Sequence, residues 1–146
     1  MSIDLKDAYF SIPMDRKFQP YLCFTWAEKY FCFTCLPLGL SSAPRIFTKV
    51  MKPVVASVRS QGISLVIYLD DFFVMFSSKE ESITNTNLVI NPLKDLGFEI
   101  NYKKSHFIPE TKATYLGFII DSETMSIYIP RRKVEKIKVA VSAIDF

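Results

Sequence analysis

Three carboxylates carry the chemistry open to this sequence. Asp70 and Asp71 stand together in Tyr68-Leu69-Asp70-Asp71, and Asp4 lies far upstream in Ser2-Ile3-Asp4-Leu5-Lys6-Asp7-Ala8-Tyr9-Phe10. Gathered at one spot, three carboxylates repel, and at least one pKa rises. Mg²⁺ removes that cost, because it takes oxygen ligands and keeps positions open for water and substrate phosphates. Two such ions about 4 Å apart activate an attacking hydroxyl and stabilise a leaving phosphate oxygen. Nucleotide polymerisation uses this chemistry, and so do nucleases, so the carboxylates alone do not name the reaction. Asp is also common in turns, and a plain turn that contains two Asp is the alternative at 68–71.

The elements that must position these groups follow from hydrophobic patterning. Ile63-Ser64-Leu65-Val66-Ile67 leads into the acidic pair and Phe72-Phe73-Val74-Met75-Phe76 leads out. Both have strand length and β-rich composition, which predicts a β-hairpin with the carboxylates at its tip. The segment around Asp4 reads as the end of a strand followed by a turn. Tyr21–Trp26 and Tyr30–Cys35 read as an aromatic-rich hairpin around Ala27-Glu28-Lys29. After the loop Leu36–Pro44, Ser42 and Pro44 mark a helix over 43–60 with an apolar stripe of Ile46, Phe47, Val50, Met51, Val54 and Val58. Pro53 should kink it, and Gln61-Gly62 should end it. Ser78 and Glu81 form a capping box for a second helix reaching about Leu96 and stopped by Gly97. A short strand follows at 98–101. Thr114–Ile120 and Met125–Ile129 read as a last hairpin around 121–124. Pro130 opens a helix with Val134, Ile137, Val141 and Ile144 at helical spacing.

From Ile3 to Ile100 the order is strand, helix, strand, strand, helix, strand, with a hairpin inserted early. That predicts an α+β fold, a ferredoxin-like split β-α-β antiparallel sheet with helices on one face. Such a sheet lays the first strand beside the central hairpin and brings Asp4 toward Asp70 and Asp71.

The chain has 146 residues, 49% of them hydrophobic and 23% charged, which is one domain's worth with enough apolar content for a core and argues against disorder. The formal charge of +3 permits a nucleic-acid partner without demanding one. Lys103-Lys104 and Arg131-Arg132-Lys133 with Lys136 and Lys138 gather the basic residues late, in a pattern that suits either a phosphate backbone or a solvated helix face. Cys32 and Cys35 form a C-x-x-C without a second pair, and His106 is the sole histidine. The usual four-ligand zinc site cannot be assembled from these, and the cysteines read as structural. Three cysteines and no signal-peptide pattern predict a reducing, intracellular setting, cytoplasm or nucleus, rather than secretion. No apolar run has bilayer-spanning length, so no membrane partner is expected.

Five stretches now carry a family resemblance. S-I-D-L-K-D-A-Y-F (2–10), L-P-L-G-L-S-S-A-P-R-I-F (36–47), Y-L-D-D (68–71), L-G-F-E-I-N-Y-K-K-S (96–105) and Y-L-G-F (115–118) resemble motifs A to E of reverse transcriptases, in the family's order. The likeness covers residues 2–140. K-S-H-F-I-P (104–109), with the Y-L-G-F-I-I-D stretch after it, is similar to retrotransposon enzymes of the gypsy and DIRS-like kinds rather than to those of retroviruses. The resemblance implies a right-hand polymerase palm, consistent with the topology read independently.

It also implies roles. Asp4 matches the motif A carboxylate that binds both Mg²⁺ ions, for which Mn²⁺ can substitute. Asp70 and Asp71 match the motif C pair, and the Leu5 backbone is a further metal-site oxygen. Tyr9 matches the aromatic that blocks a ribose 2′-hydroxyl and so selects deoxynucleotides; a packed strand-end aromatic is the alternative. Gly39 would let backbone approach the nucleotide and template. Leu38 departs from retroviruses, which carry Gln there, and leaves open how the 3′-hydroxyl is held. Of Lys103 and Lys104, Lys104 is the candidate general acid for the departing pyrophosphate. Tyr115, Leu116 and Gly117 match the primer-gripping hairpin, and Tyr68 and Pro44 join the primer and template contacts.

The implied division is residues 1–129 as palm, with part of the fingers in the hairpin 21–35, and 130–146 as the start of the thumb or a connecting helix. The abrupt start predicts a fragment of a larger polyprotein with further fingers, thumb and RNase H regions. The implied partners are an RNA or DNA template-primer and deoxynucleoside triphosphates, and the implied activity is RNA-directed DNA polymerase. The competing expectations are an inactive retroelement remnant acting as a nucleic-acid-binding or interaction module, and an unrelated RRM-like domain with exposed sheet aromatics.

Overall fold

The computed structural model describes residues 1–143. The chain runs β1 (Ser2–Lys6), two short 3₁₀ turns (Ala8–Ser11 and Gln19–Leu22), β2 (Cys23–Trp26), β3 (Lys29–Cys32), α1 (Ala43–Ser60), β4 (Ser64–Tyr68), β5 (Asp71–Met75) and α2 (Lys79–Asp95). β6 (Glu99–Ile100), β7 (Lys112–Tyr115), β8 (Phe118–Asp121), β9 (Ser126–Tyr128) and α3 (Arg131–Ser142) follow. The main sheet has the order β4-β5-β1-β6 with antiparallel neighbours. This is the expected ferredoxin-like split β-α-β arrangement.

Alternation along the strands divides the sheet into two faces. Ile3 and Leu5 of β1, Leu65 of β4 and Phe72 and Val74 of β5 are buried in one core with Phe47, Met51 and Val58 of α1 and Val89 and Leu93 of α2. Fully burying a side chain of this kind contributes about 1.5–3 kcal/mol. The intervening residues of β1 and β5, Asp4, Asp71 and Phe73, therefore lie on the face away from the helices. Tyr115 covers part of that face, its ring 5.0 Å from Phe73.

α1 has the predicted bounds, and Gly62 closes it at φ 85°. Its start departs from expectation. Ser42 has helical backbone angles and its hydroxyl makes no cap bond; an extended Ncap backbone is what aims the side chain at the first free amides. At α2 the Ser78 hydroxyl does accept from the Glu81 amide at 3.1 Å. The reciprocal bond goes one residue earlier than a standard capping box, from the Ser77 amide to Glu81 Oε2 at 2.7 Å.

Three readings need correction. Thr114–Ile120 is not one strand: it breaks into β7 and β8 at Leu116 and Gly117, whose φ values of 49° and 76° make a tight hairpin turn. β7, β8 and β9 form a separate three-stranded sheet. The early hairpin is shorter than 21–35 and turns through two residues, Ala27 and Glu28, both at positive φ. That register sets Cys23 opposite Cys32, and the two are joined by a disulfide; of the three cysteines only Cys35 is free, contrary to the expectation of a reducing setting. α3 carries Val134, Ile137 and Val141 as predicted, none of them buried, while Ile144 lies outside the described residues. Among the described residues no helix is long and apolar enough to cross a membrane.

Candidate active site

β1 and the β4–β5 hairpin assemble the acidic centre. Asp4 and Asp71 are opposed partners on adjacent strands, and Asp70 follows Leu69 in the two-residue turn between Tyr68 and Asp71. Leu69 has φ 55°, a left-handed conformation that costs a non-glycine residue about 1 kcal/mol or more. The backbone around it is pinned: the Leu5 amide donates to the Asp70 carbonyl at 3.2 Å, and the Asn101 amide to the Asp4 carbonyl at 2.9 Å. The Asp4 amide donates to Ser105 Oγ at 3.0 Å. Main-chain groups are thus satisfied within the protein, and the carboxylates remain available.

The electrostatics record the convergence. Burial first, then the neighbouring Asp70 and Asp4 carboxylates, push the Asp71 carboxyl above its ordinary value, with Lys104 opposing. Burial and then Asp70 and Tyr68 likewise push the Tyr9 phenol up. Lys104 Nζ stands 4.0 Å from Asp4 Oδ1, with most of its side chain exposed.

A cavity of about 560 Å³ collects Asp4, Leu5, Tyr9, Leu38, Gly39, Pro44, Asp70 and Lys104. These come from four separated stretches of sequence. Tyr9 is the packed aromatic of the alternative reading, its ring buried and stacked on Phe47 at 4.9 Å, and it also lines the cavity. A smaller cavity of about 270 Å³ shares Asp4 and Lys104 and is lined also by Asp71, Tyr115 and Leu116. The Tyr115 hydroxyl donates to the Asp71 carbonyl at 3.3 Å, tying the β7–β8 hairpin to the acidic centre. Gly117 lines neither cavity; a Cβ there would collide with the Lys133 side chain. Tyr68 is exposed and lines neither. Lys103 also lies outside both. The structure adds Asn101, Ser105 and Phe10, which patterning did not mark because two act through backbone contacts and Phe10 reads as an ordinary strand-end aromatic.

Among the described residues no set of three or more His, Cys, Asp or Glu side chains stands at ion-holding separation. The donor set nevertheless fits a hard divalent cation. It is all carboxylate oxygen, and the raised Asp71 carboxyl marks negative charge that Lys104 offsets only in part.

Comparisons with known proteins agree with this geometry. Residues 1–120 match the family model described as reverse transcriptase (RNA-dependent DNA polymerase). The chain is 31% identical over 126 residues to the Pol polyprotein of feline endogenous virus ECE1, covering 81% of the chain and 12% of that protein. It is 32% identical over 123 residues to the Pro-Pol polyprotein of feline foamy virus, covering 84% of the chain and 10% of that protein. The chain thus spans about a tenth of the length of the curated relatives it matches. In fold it superposes on the foamy viral protease-reverse transcriptase in complex with an RNA/DNA hybrid, with TM-score 0.81 and 26% identity over 94% of this chain and 18% of that one. The foamy viral protease-reverse transcriptase dRH in complex with double-stranded DNA gives TM-score 0.83 and 26% identity over 99% of this chain and 24% of that one. The sheet that sets Asp4 beside Asp71 is therefore a polymerase palm, and the chain belongs to the reverse transcriptase family.

Proposed function

We propose that this domain is the catalytic palm of an RNA-directed DNA polymerase. It would transfer a nucleotide from a deoxynucleoside triphosphate to a primer 3′-hydroxyl on an RNA or DNA template. The observation that carries the reading is the single cavity that gathers Asp4, Asp70, Lys104, Tyr9 and Gly39. Asp4, Asp70 and Asp71, with the Leu5 backbone oxygen, would hold two Mg²⁺ or Mn²⁺ ions. When bound, such ions neutralise the carboxylates and supply Lewis-acid activation of the hydroxyl and the phosphates.

The chain's own residues do the rest. The primer 3′-hydroxyl gives its proton to solvent as its oxygen bonds to the α-phosphorus, the bond from that phosphorus to the β-phosphate oxygen breaks, and pyrophosphate leaves. Lys104, 4.0 Å from Asp4 Oδ1, would protonate that leaving group as general acid. The Tyr9 ring, locked against Phe47, forms the wall that a 2′-hydroxyl would meet. Gly39, at φ 87° with open space where a Cβ would sit, lets substrate approach the backbone beside Leu38 and Pro44. Tyr115 and Leu116 would hold the primer end from the smaller cavity, with Gly117 and Tyr68 outside it as further primer contacts.

Residues 1–129 are read as palm with a fingers hairpin, and 130–146 as the entry to a thumb or connecting helix. The partners are template-primer and the remaining fingers, thumb and RNase H regions of a larger polyprotein. The narrower affiliation with gypsy and DIRS-like elements rests on K-S-H-F-I-P at 104–109.

The test is primer extension on an RNA template with Mg²⁺ and deoxynucleotides, run on the wild-type chain and on Asp70→Asn. Extension by the wild type alone supports the reading. Extension that persists in the variant removes these carboxylates from the reaction, and inactivity of both favours the inactive nucleic-acid-binding module.

A further inference from the structure

Asn101 stands beside the acidic centre, in a place that strand register decides. β1 pairs with β6 through Leu5 with Ile100 and Lys6 with Glu99. One step along the same ladder, just past the end of β6, sets Asn101 against Asp4, and there the Asn101 amide donates to the Asp4 carbonyl at 2.9 Å. On its other side Asp4 is opposed by Asp71. Opposed residues of antiparallel strands project from the same face, so Asp71, Asp4 and Asn101 form one row across the sheet. The Asn101 carbonyl closes the following turn, accepting from the Lys104 amide at 3.1 Å and the Ser105 amide at 2.9 Å. Both main-chain groups of Asn101 are thus held, and with them the point from which its side chain leaves the sheet.

The two cavities separate what this side chain meets. Asn101 lines the larger one with Tyr9, Leu38, Gly39 and Asp70, and is absent from the smaller one that holds Tyr115 and Leu116. Asp4 and Lys104 line both. In the polymerase reading the larger cavity is the nucleotide's side and the smaller the primer's. An asparagine amide brings two N–H donors and no charge. Its neighbours Asp4 and Asp70 are acceptors only when ionised, so it is the neutral donor of that wall.

We propose that the Asn101 side-chain amide donates to the β-phosphate of the incoming triphosphate and holds the departing pyrophosphate beside Lys104. The inference rests on the polymerase reading of that cavity. Lys104 is a point charge on a long flexible stem, and a proton passes only to an oxygen held within hydrogen-bond reach. A donor pinned to β1 at the level of Asp4 supplies that hold, and being neutral it does not compete with a cation for the carboxylates.

The test titrates inorganic pyrophosphate, dATP and deoxyadenosine, each with Mg²⁺, into the isotope-labelled chain and follows the side-chain amide resonance of Asn101 by NMR. Pyrophosphate and dATP should move it saturably, and deoxyadenosine should not. By calorimetry Asn101→Ala should weaken pyrophosphate affinity about tenfold, the loss of a hydrogen bond to a charged group. Asn101→Asp keeps the shape and adds a charge, and should weaken it further. The wild-type spectrum decides the matter even where a variant fails to fold. Asp70→Asn should weaken Mg²⁺-dependent binding of dATP, which separates the two readings: if it does so while the Asn101 resonance stays still in the wild type, the polymerase reading stands and this proposal falls. The proposal is overturned as well if deoxyadenosine moves the resonance as far as dATP does, or if Asn101→Ala binds pyrophosphate as the wild type does. Tighter pyrophosphate binding by Asn101→Asp would make the side chain a cation ligand and also overturn it. A wild type that binds neither pyrophosphate nor dATP overturns it together with the polymerase reading.

Discussion

Asp4 and Asp71 sit directly opposite each other on neighbouring antiparallel strands, on the sheet face away from the helices. A pair of like charges in that position is unfavourable, and the Asp71 carboxyl is correspondingly raised by burial, by Asp70 and by Asp4. The cost falls where the proposed cation-dependent reaction would need it.

That cost is measurable as stability. A carboxyl whose folded pKa is raised binds its proton more tightly in the folded state, so above both pKa values its ionisation destabilises the fold. Asp71→Asn removes the ionisation. The variant should melt above the wild type at neutral pH without divalent ions, and the difference should vanish below about pH 4, where the unfolded carboxyl is protonated too. Thermal melts across that range check it; a lower melting temperature for the variant at neutral pH would contradict it.

Asp121 should behave in the opposite sense. Burial pushes its carboxyl up, but bonds from the Thr124 and Glu123 amides, the Thr124 hydroxyl and Lys112 outweigh it and hold it below the ordinary range. A depressed folded pKa contributes stability that is present above the unfolded value and lost as pH falls through the folded one. Asp121→Asn should therefore melt below the wild type at neutral pH. The gap should begin to narrow as pH falls past about 4 and close only below the depressed folded pKa, as followed by melts of both proteins.

Tyr9 is a packed ring and also the proposed gate, and one substitution confounds the two. Its ring is buried on Phe47, so Tyr9→Ala should cost about 3 kcal/mol of stability as well as relax rejection of ribonucleotides. Tyr9→Phe keeps the packing and the wall. It should keep both stability and selectivity, read by urea unfolding and by incorporation of matched deoxy- and ribonucleotides in an active preparation.

The Cys23–Cys32 bond closes a short loop, with a sequence separation of 9. Loop entropy assigns such a crosslink about 2–3 kcal/mol. Reduction should lower the melting temperature of the wild type and leave Cys23→Ser/Cys32→Ser unchanged, with mass spectrometry reporting the two added hydrogens.

The acidic centre was legible because two independent patterns agreed. Alternating apolar residues around Asp4 and Asp71 place both outside the core, and the strand-helix order places their strands side by side. The bounds of α1 were legible from Pro44 and Gly62, although Ser42 does not cap through its hydroxyl. The break at Leu116-Gly117 was not legible from patterning, because the turn is apolar on both flanks and lacks the Asn or Asp that marks most hairpins of this type; only the family resemblance pointed to a hairpin at 115–117. The disulfide was hidden by one residue of register. A three-residue turn at 27–29 would pair Cys23 with Phe33, whereas the observed two-residue turn pairs it with Cys32. Ser105 and Asn101 bind Asp4 through its backbone, and no side-chain pattern signals that.

The most direct measurement of the acidic centre is calorimetric titration of Mg²⁺ into the wild-type chain, Asp4→Asn and Asp70→Asn, each in the presence of primer-template and a deoxynucleoside triphosphate. If Asp4 and Asp70 share one cation site, saturable binding occurs in the wild type and is weakened at least tenfold in both variants. Binding of equal affinity in all three would contradict the shared site and the polymerase reading built on it.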